Sequence, residues 1–305
     1  MTSSFRNIAS TVAAMALAGV LFSGVAASEE FKFDFKGSLG PGKHTRYVPP
    51  LANPLFNETP YITTEVRPLF IYNKIPDSFL TTGGEILLGA VEVRIALTER
   101  LGFIATKDGY ADIDFDAVLP DESGFVNISL GFKYAVHSDP ATQSILTVGV
   151  EYEPPTGNLE TAGIDLQGRG DGMIDLFMTG AKAWDKLGLQ ASSGVNLAID
   201  DDHDTSMIHY SLHADYEIAP GLFPLIELNG FTTIDKGTRT AGVDFEGIDL
   251  VNFGSVDSGT VVMGSIGARW RLNEHVIVGA GYETPLTDRE DITDWRLNFD
   301  VVLSY

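Results

Sequence analysis

Apolar and polar positions alternate with a period of two along most of this chain. Read back from the C-terminus, Tyr305, Leu303, Val301, Phe299, Leu297 and Trp295 alternate with Ser304, Val302, Asp300, Asn298 and Arg296. That pattern places an apolar, aromatic-ended row on one face of a strand. Strands of soluble sandwiches usually run about 5 or 6 residues, whereas this one reaches the roughly 9 to 11 of a tilted strand crossing a hydrocarbon core. Comparable rows recur upstream, among them Val66, Phe70 and Tyr72; Leu87, Val91, Val93, Ile95 and Leu97; Leu101, Phe103 and Ala105; and Val126, Ile128, Leu130, Phe132 and Tyr134. Further rows begin at Leu146, Ile174, Leu189, Ile208, Ile226, Val262 and Val276. Together they predict an all-β fold, an antiparallel transmembrane barrel of about twelve strands, the even count that single-chain bacterial barrels show. The Ile174 row has ambiguous parity, and the Ile226 row carries Pro224 near its start, which suits a strand interior poorly.

Connection lengths sort in the same way. Residues 98–100, 137–143, 185–186, 217–221 and 273–275 are short, and 73–84, 109–124, 154–172 and 232–260 are long. Short periplasmic turns alternating with long extracellular loops are the build of an outer-membrane barrel, with both chain ends on the periplasmic side. Residues 61–305 form the expected barrel. Residues 28–60, with Phe31, Phe33 and Phe35 followed by Pro41, Pro49, Pro50, Pro54 and Pro60, break the strand pattern and form an irregular segment placed to plug the lumen or lie beneath it.

At the N-terminus, Arg6, the apolar run Val12 to Val25 and the small residues Ala26 and Ala27 read as a cleaved export signal, residues 1–27. Its removal from 305 residues leaves 278. No later stretch reaches the roughly 18 apolar residues of a spanning helix. The chain holds no cysteine, so no disulfide or thiolate metal site forms and oxidising conditions carry no hazard. Its 42 acidic and 20 basic side chains, a net charge of −22, exclude a nucleic-acid partner, because a phosphate backbone requires a basic footprint. No cofactor motif stands out. Gly37 to His44 nearly spells a phosphate loop, but His44 stands where Ser or Thr would hold a metal and no buried strand precedes it.

The terminal alternation of Phe299, Val301, Leu303 and Tyr305 resembles the signal of substrates of the outer-membrane barrel assembly machinery, which implies that machinery as a partner. The segments Ile62 to Pro68, Ala96 to Leu101 and Gly267 to Trp270 resemble the outer-membrane proteins grouped as components of phenol-degradation (meta-pathway) operons. That resemblance implies a twelve-stranded barrel and passage of small, aromatic solutes.

Strand parity turns Glu65, Arg67, Glu92, Arg94, Lys133, Glu151, Asp175, His209, His213, Asp215, Glu227, Arg269, Arg271, Glu283, Arg296 and Asp300 toward the lumen. This channel-lining set is mixed in sign and suits small polar or amphipathic solutes. About twelve strands fall between filled eight-stranded barrels and the porins of roughly 16 to 18, so any pore is narrow. A register setting Tyr72 opposite Leu87 places Arg67 opposite Glu92 and Glu65 opposite Arg94, pairs of opposite sign that brace the wall, constrict the pore, or do both. His209, Ser211, His213 and Asp215 share one strand face and hold the residue types of an acyl hydrolase. Neighbours on one face are about 7 Å apart, however, so a triad needs partners on adjacent strands. Asp200 to Asp204 form an acidic outer loop suited to divalent ions bridging to lipopolysaccharide, and Arg169-Gly170-Asp171 reads as a turn. The main expectation is therefore a channel for small solutes in outer-membrane lipid. A closed structural or receptor barrel and a barrel-embedded lipid hydrolase are the alternatives.

Overall fold

The computed structural model describes residues 33–239, 247–254 and 259–305. The expected export signal and Phe31 lie outside the described residues. Sixteen strands follow in order: β1 Glu65–Ile75, β2 Gly84–Ala96, β3 Leu101–Ala105, β4 Gly109–Phe115, β5 Glu122–Phe125, β6 Leu130–Asp139, β7 Ser144–Glu153, β8 Glu160–Thr161, β9 Ile164–Asp165, β10 Met173–Trp184, β11 Leu187–Ala198, β12 Ser206–Tyr216, β13 Leu222–Asp235, β14 Thr260–Arg271, β15 Val276–Pro285 and β16 Trp295–Ser304. No helix occurs among the described residues.

Every strand of the main sheet pairs antiparallel with its neighbour, and β1 pairs with both β2 and β16, which closes the sheet. β3 and β4 pair successively along β2, and β5 and β6 return along β4 and β3, so each pair is one interrupted strand. The result is a twelve-stranded antiparallel barrel. The ring of strands has no open edge, as a β-structure in hydrocarbon requires, and β5, which pairs with β4 alone, lies in the hairpin beyond it. The expected long loop 109–124 is corrected in part: β4 and β5 occupy most of it and extend the wall outward as a hairpin. Val126 and Ile128 fall in the interruption rather than in a strand. Loop 154–172 carries its own small hairpin, β8–β9. Pro224 does lie within a strand, opposite Ala268. At the tight turn 185–186, Asp185 adopts φ 44°, a left-handed conformation that Asp tolerates better than most residues.

The apolar rows face outward. Leu212 is 57%, Ile226 62% and Ile266 64% exposed, while the intervening Arg269 and Glu283 are wholly buried. A water-soluble fold would bury the first set and expose the second; lipid outside and a polar interior demand this inversion. The interior is not uniformly polar. Leu69 and Ile71 of β1, Ile86 and Leu88 of β2 and Ile113 of β4 point inward and pack under Leu159, Leu166, Leu250, Val251 and Phe253 from the long loops. Its extracellular end on this side is therefore an apolar core, which corrects the expectation of a lumen lined by polar groups throughout.

Candidate functional site

Residues 44–62 cross the barrel interior as an irregular segment. Pro49, Pro50, Pro54 and Pro60 carry no N–H, so the segment offers the wall mainly carbonyl oxygens. The wall answers with donors. Arg271 donates to the Tyr47 carbonyl at 2.7 Å, Gln190 to Val48, Arg269 to Pro49 and Pro50, and Arg67 to Leu51 at 3.2 Å. Thr179 reaches the Glu58 carbonyl at 2.8 Å, Lys133 that of Thr59 at 2.8 Å and Thr147 that of Pro60 at 2.6 Å. In the opposite sense, the N–H groups of Leu51 and Ala52 donate to the Glu227 carboxylate at 2.8 and 2.6 Å. A buried backbone without such partners would be strongly disfavoured, so these wall side chains are what permit non-regular chain inside the barrel.

Three glycines make room for it. A Cβ on Gly267, Gly279 or Gly281 would stand 2.7–2.9 Å from the Leu51 methyls, so only a bare backbone there accepts the Leu51 side chain. Within the segment, Arg46 and Glu58 are the charged residues, and both are latched. Arg46 pairs with Asp215 and stands 3.9 Å from Glu217. Glu58 pairs with Arg94 and with Lys133 at 2.6 Å. Burial alone would raise the Glu58 carboxyl, but the two cations outweigh it and hold the group at about 2.

Glu58 belongs to a continuous ionic belt. From Lys133 the pairs run to Glu58, Arg94, Glu92, Arg67, Asp300 and Arg269, with Glu65 as a branch on Arg94. The expected register is present: Tyr72 lies opposite Leu87, Arg67 opposite Glu92 and Glu65 opposite Arg94. Arg94 is 3.3 Å from Glu65 and 2.8 Å from Glu92, and the Tyr47 hydroxyl donates to Glu65 at 2.7 Å.

The other inward side chains form separate groups. His213 lies between Glu227 at 2.6 Å and Asp215 at 3.2 Å. His209 of β12 reaches Asp175 on β10 at 2.8 Å, passing over Gly194 of β11, where a Cβ would meet the ring at 2.3 Å. Glu151 accepts from Thr106 and Ser129. Arg271 and Arg46 each stand 5.2 Å from the Phe223 ring, a cation–π arrangement. Arg296 joins Asp249 at 2.6 Å and Glu283 at 3.4 Å, and Asn229 donates to Glu283. Sequence reasoning missed Arg46, Glu58 and Asp249. Two lone charges in a proline-rich stretch were the signal for the first two; Asp249 sits in a long loop that parity does not reach.

The hydrolase constellation does not assemble. Both ring nitrogens of His213 are taken by carboxylates, and neither Ser211 Oγ nor His209 Nδ1 has a hydrogen-bond partner among the described residues. His44 does meet Ser138 at 3.0 Å, but its Nδ1 has no partner to orient the ring. Lys43, the would-be phosphate lysine, is bound to Asp34 and the Gly37 carbonyl. Arg169 of the turn pairs with Asp165 at 2.7 Å. Asp200, Asp201 and Asp202 gather their carboxylates within 4.8 Å on a loop tip, Asp200 half-buried and the other two exposed.

Closure, outward apolar rows and loop asymmetry decide the architecture. The fold is that of an outer-membrane β-barrel. No family model matches the chain, and no curated protein matches it in sequence. Among solved structures it is similar to an outer membrane channel from Pseudomonas putida F1, at 15% identity and a TM-score of 0.57, over 80% of this chain and 96% of that one. It is also similar to the NanC porin, at 6% identity and a TM-score of 0.49 over 79% and 100% of the two chains. A third similarity is to outer membrane phospholipase A from Escherichia coli, at 8% identity and a TM-score of 0.39 over 79% and 93%. At these identities the likeness is one of fold.

Proposed function

We propose that this barrel passes small amphipathic solutes, aromatic ones included, across the outer membrane without an energy source, and that residues 44–62 close the lumen at rest. The observation that carries the reading is the nature of the closure. Small barrels of about eight strands are filled by side chains of their own strands. Here the filling is a separate, irregular segment held by hydrogen bonds and ion pairs, contacts that water and a solute can replace. The apolar core at the extracellular end and the ionic belt deeper inside give a crossing molecule both kinds of surface. On this reading the sixteen inward residues act as channel lining once the segment shifts.

Planar-bilayer recording tests it. The full chain should show small conductance steps, and a variant lacking residues 44–60 steps several-fold larger. No conductance from either, with the barrel folded, would refute the channel and favour the closed structural barrel. The outward rows contact membrane lipid. We further assign Phe299, Val301, Leu303 and Tyr305 to recognition by the assembly machinery, and the acidic loop tips to divalent contacts with lipopolysaccharide.

A further inference from the structure

Counting the belt's charges exposes a gap in the wall. The barrel strands supply four cations, Lys133, Arg94, Arg67 and Arg269, and three carboxylates, Glu92, Glu65 and Asp300. Arg67 and Arg269 form their ion pairs with wall carboxylates and give the segment only hydrogen bonds to its carbonyls. Lys133 has no wall carboxylate among its ion pairs; its partner is Glu58, which the N-terminal segment brings in. The contact has the form of ligand recognition. Arg94 presents Nε and Nη2 side by side to the two Glu58 oxygens, with Nε 2.9 Å from Oε1, and Lys133 adds Nζ at 2.6 Å from Oε1. A guanidinium fork on a carboxylate, reinforced by an ammonium, is a specific and strong arrangement.

We infer that Arg94 and Lys133 form a carboxylate-binding site in the lumen, occupied at rest by Glu58, and that a small carboxylate solute displaces Glu58 from it. Vacating the site would leave a buried cation without compensation, so the segment is released when another carboxylate takes its place. Two residues further along each strand and on the same face lie Ala96 after Arg94 and Ala135 after Lys133, and with Ile145 they now pack against Tyr61 and Ile62 of the segment. The space these side chains would leave is apolar and suits a flat ring. The ligand class is thus an aromatic carboxylate. The inference deepens the channel reading by naming its solute and the step that opens it.

The test uses the full chain purified in detergent micelles, with benzoate as the probe and benzamide as its neutral counterpart. In Glu58→Ala the site is vacated, and titration calorimetry should show benzoate binding at least tenfold tighter than in the wild type. The double variant Glu58→Ala/Arg94→Gln should fall back to the level of benzamide. Equal benzoate affinity in Glu58→Ala and wild type, or undiminished affinity in the double variant, overturns the inference. Should Glu58→Ala not fold, the wild type still decides: benzoate, and not benzamide, should speed chymotryptic cleavage after Phe56, and unchanged cleavage overturns the proposal. Binding is read without conductance, so the two readings separate. Benzoate binding by a barrel that passes no solute keeps the site and refutes the channel; conductance without benzoate binding does the reverse.

Discussion

Removal of Arg94 is the sharpest perturbation of the belt. The guanidinium is buried and meets Glu58, Glu65 and Glu92. With it, four cations face four carboxylates once Glu58 is counted; Arg94→Ala leaves three cations against four carboxylates. Truncating one partner of a buried ionic network strands the others and costs about 3–5 kcal/mol. Deleting Glu58 as well restores the balance at three and three. Arg94→Ala/Glu58→Ala should therefore be less destabilised than the sum of the two single variants, by about 1–3 kcal/mol, the coupling typical of residues sharing a network. Urea unfolding in phospholipid vesicles, followed by tryptophan fluorescence, measures all four corners of the cycle. The same single variant, if it conducts, should shift its reversal potential toward cations under a salt gradient, because the lumen field becomes more negative. Additivity within about 0.5 kcal/mol would show that Glu58 and Arg94 do not share one ionic system, and the belt as described would be wrong.

Other outcomes follow from the same geometry. Leu212→Arg puts a cation on the lipid face and should cost about 2–4 kcal/mol, whereas Tyr216→Arg, beside a periplasmic turn, should cost about 0–1; equal costs would refute the assigned membrane depth. Because Glu58 titrates at about 2 when folded and 4.5 when free, its latch is at full strength above pH 4.5 and weakens as pH falls toward 2. Protection of Leu55 and Phe56 from acid-active proteases should follow that window and not the range from pH 5 to 7. Asp204 behaves oppositely: burial pushes it up to about 6 although Arg239 stands 3.1 Å away, so the folded loop binds extra protons between pH 3.8 and 6 and loses stability as pH rises through that window. Asp204→Asn should flatten that slope in a pH series of loop proteolysis. A chain ending at Asp294 leaves β1 and β15 unpaired in lipid and should fail to assemble in the outer membrane.

The barrel was legible because one physical constraint writes itself along every strand. Lipid on one side and a polar interior on the other force strict alternation, and the Tyr72–Leu87 register followed from alternation plus loop length. Where both faces are apolar, alternation carries no information. Leu69-Phe70-Ile71-Tyr72 and Ile86-Leu87-Leu88 are such runs, and for that reason the apolar extracellular core was not foreseen. The interrupted strands escaped for a related reason: Asp112 and Asp114 on β4 are polar outward positions in a hairpin that rises beyond the apolar band, so they read as loop. The path of residues 44–62 was unreadable because an irregular segment has no period. Its length and prolines showed only that it was not a strand.

Its two charges nevertheless constrain how it can move. Arg46 and Glu58 sit near opposite ends of the segment, and each is bound to a different part of the wall, β12 on one side and β2 with β6 on the other. Between them, Glu227 holds the N–H groups of Leu51 and Ala52, and the Leu51 side chain rests in the hollow of Gly267, Gly279 and Gly281. Release of Glu58 alone thus loosens the stretch after Ala52, which then keeps its carbonyl contacts with Thr179, Lys133 and Thr147, while Arg46 and Leu51 still anchor the rest. On the proposed reading, opening is a partial swing about the Leu51 hollow and not an exit of the whole segment. Gly281→Val separates the two: filling the hollow should displace Leu51 and raise resting conductance with Glu58 still latched. If conductance in Gly281→Val matches the wild type while Glu58→Ala conducts freely, Leu51 is not the pivot and the segment moves as a unit from its C-terminal end.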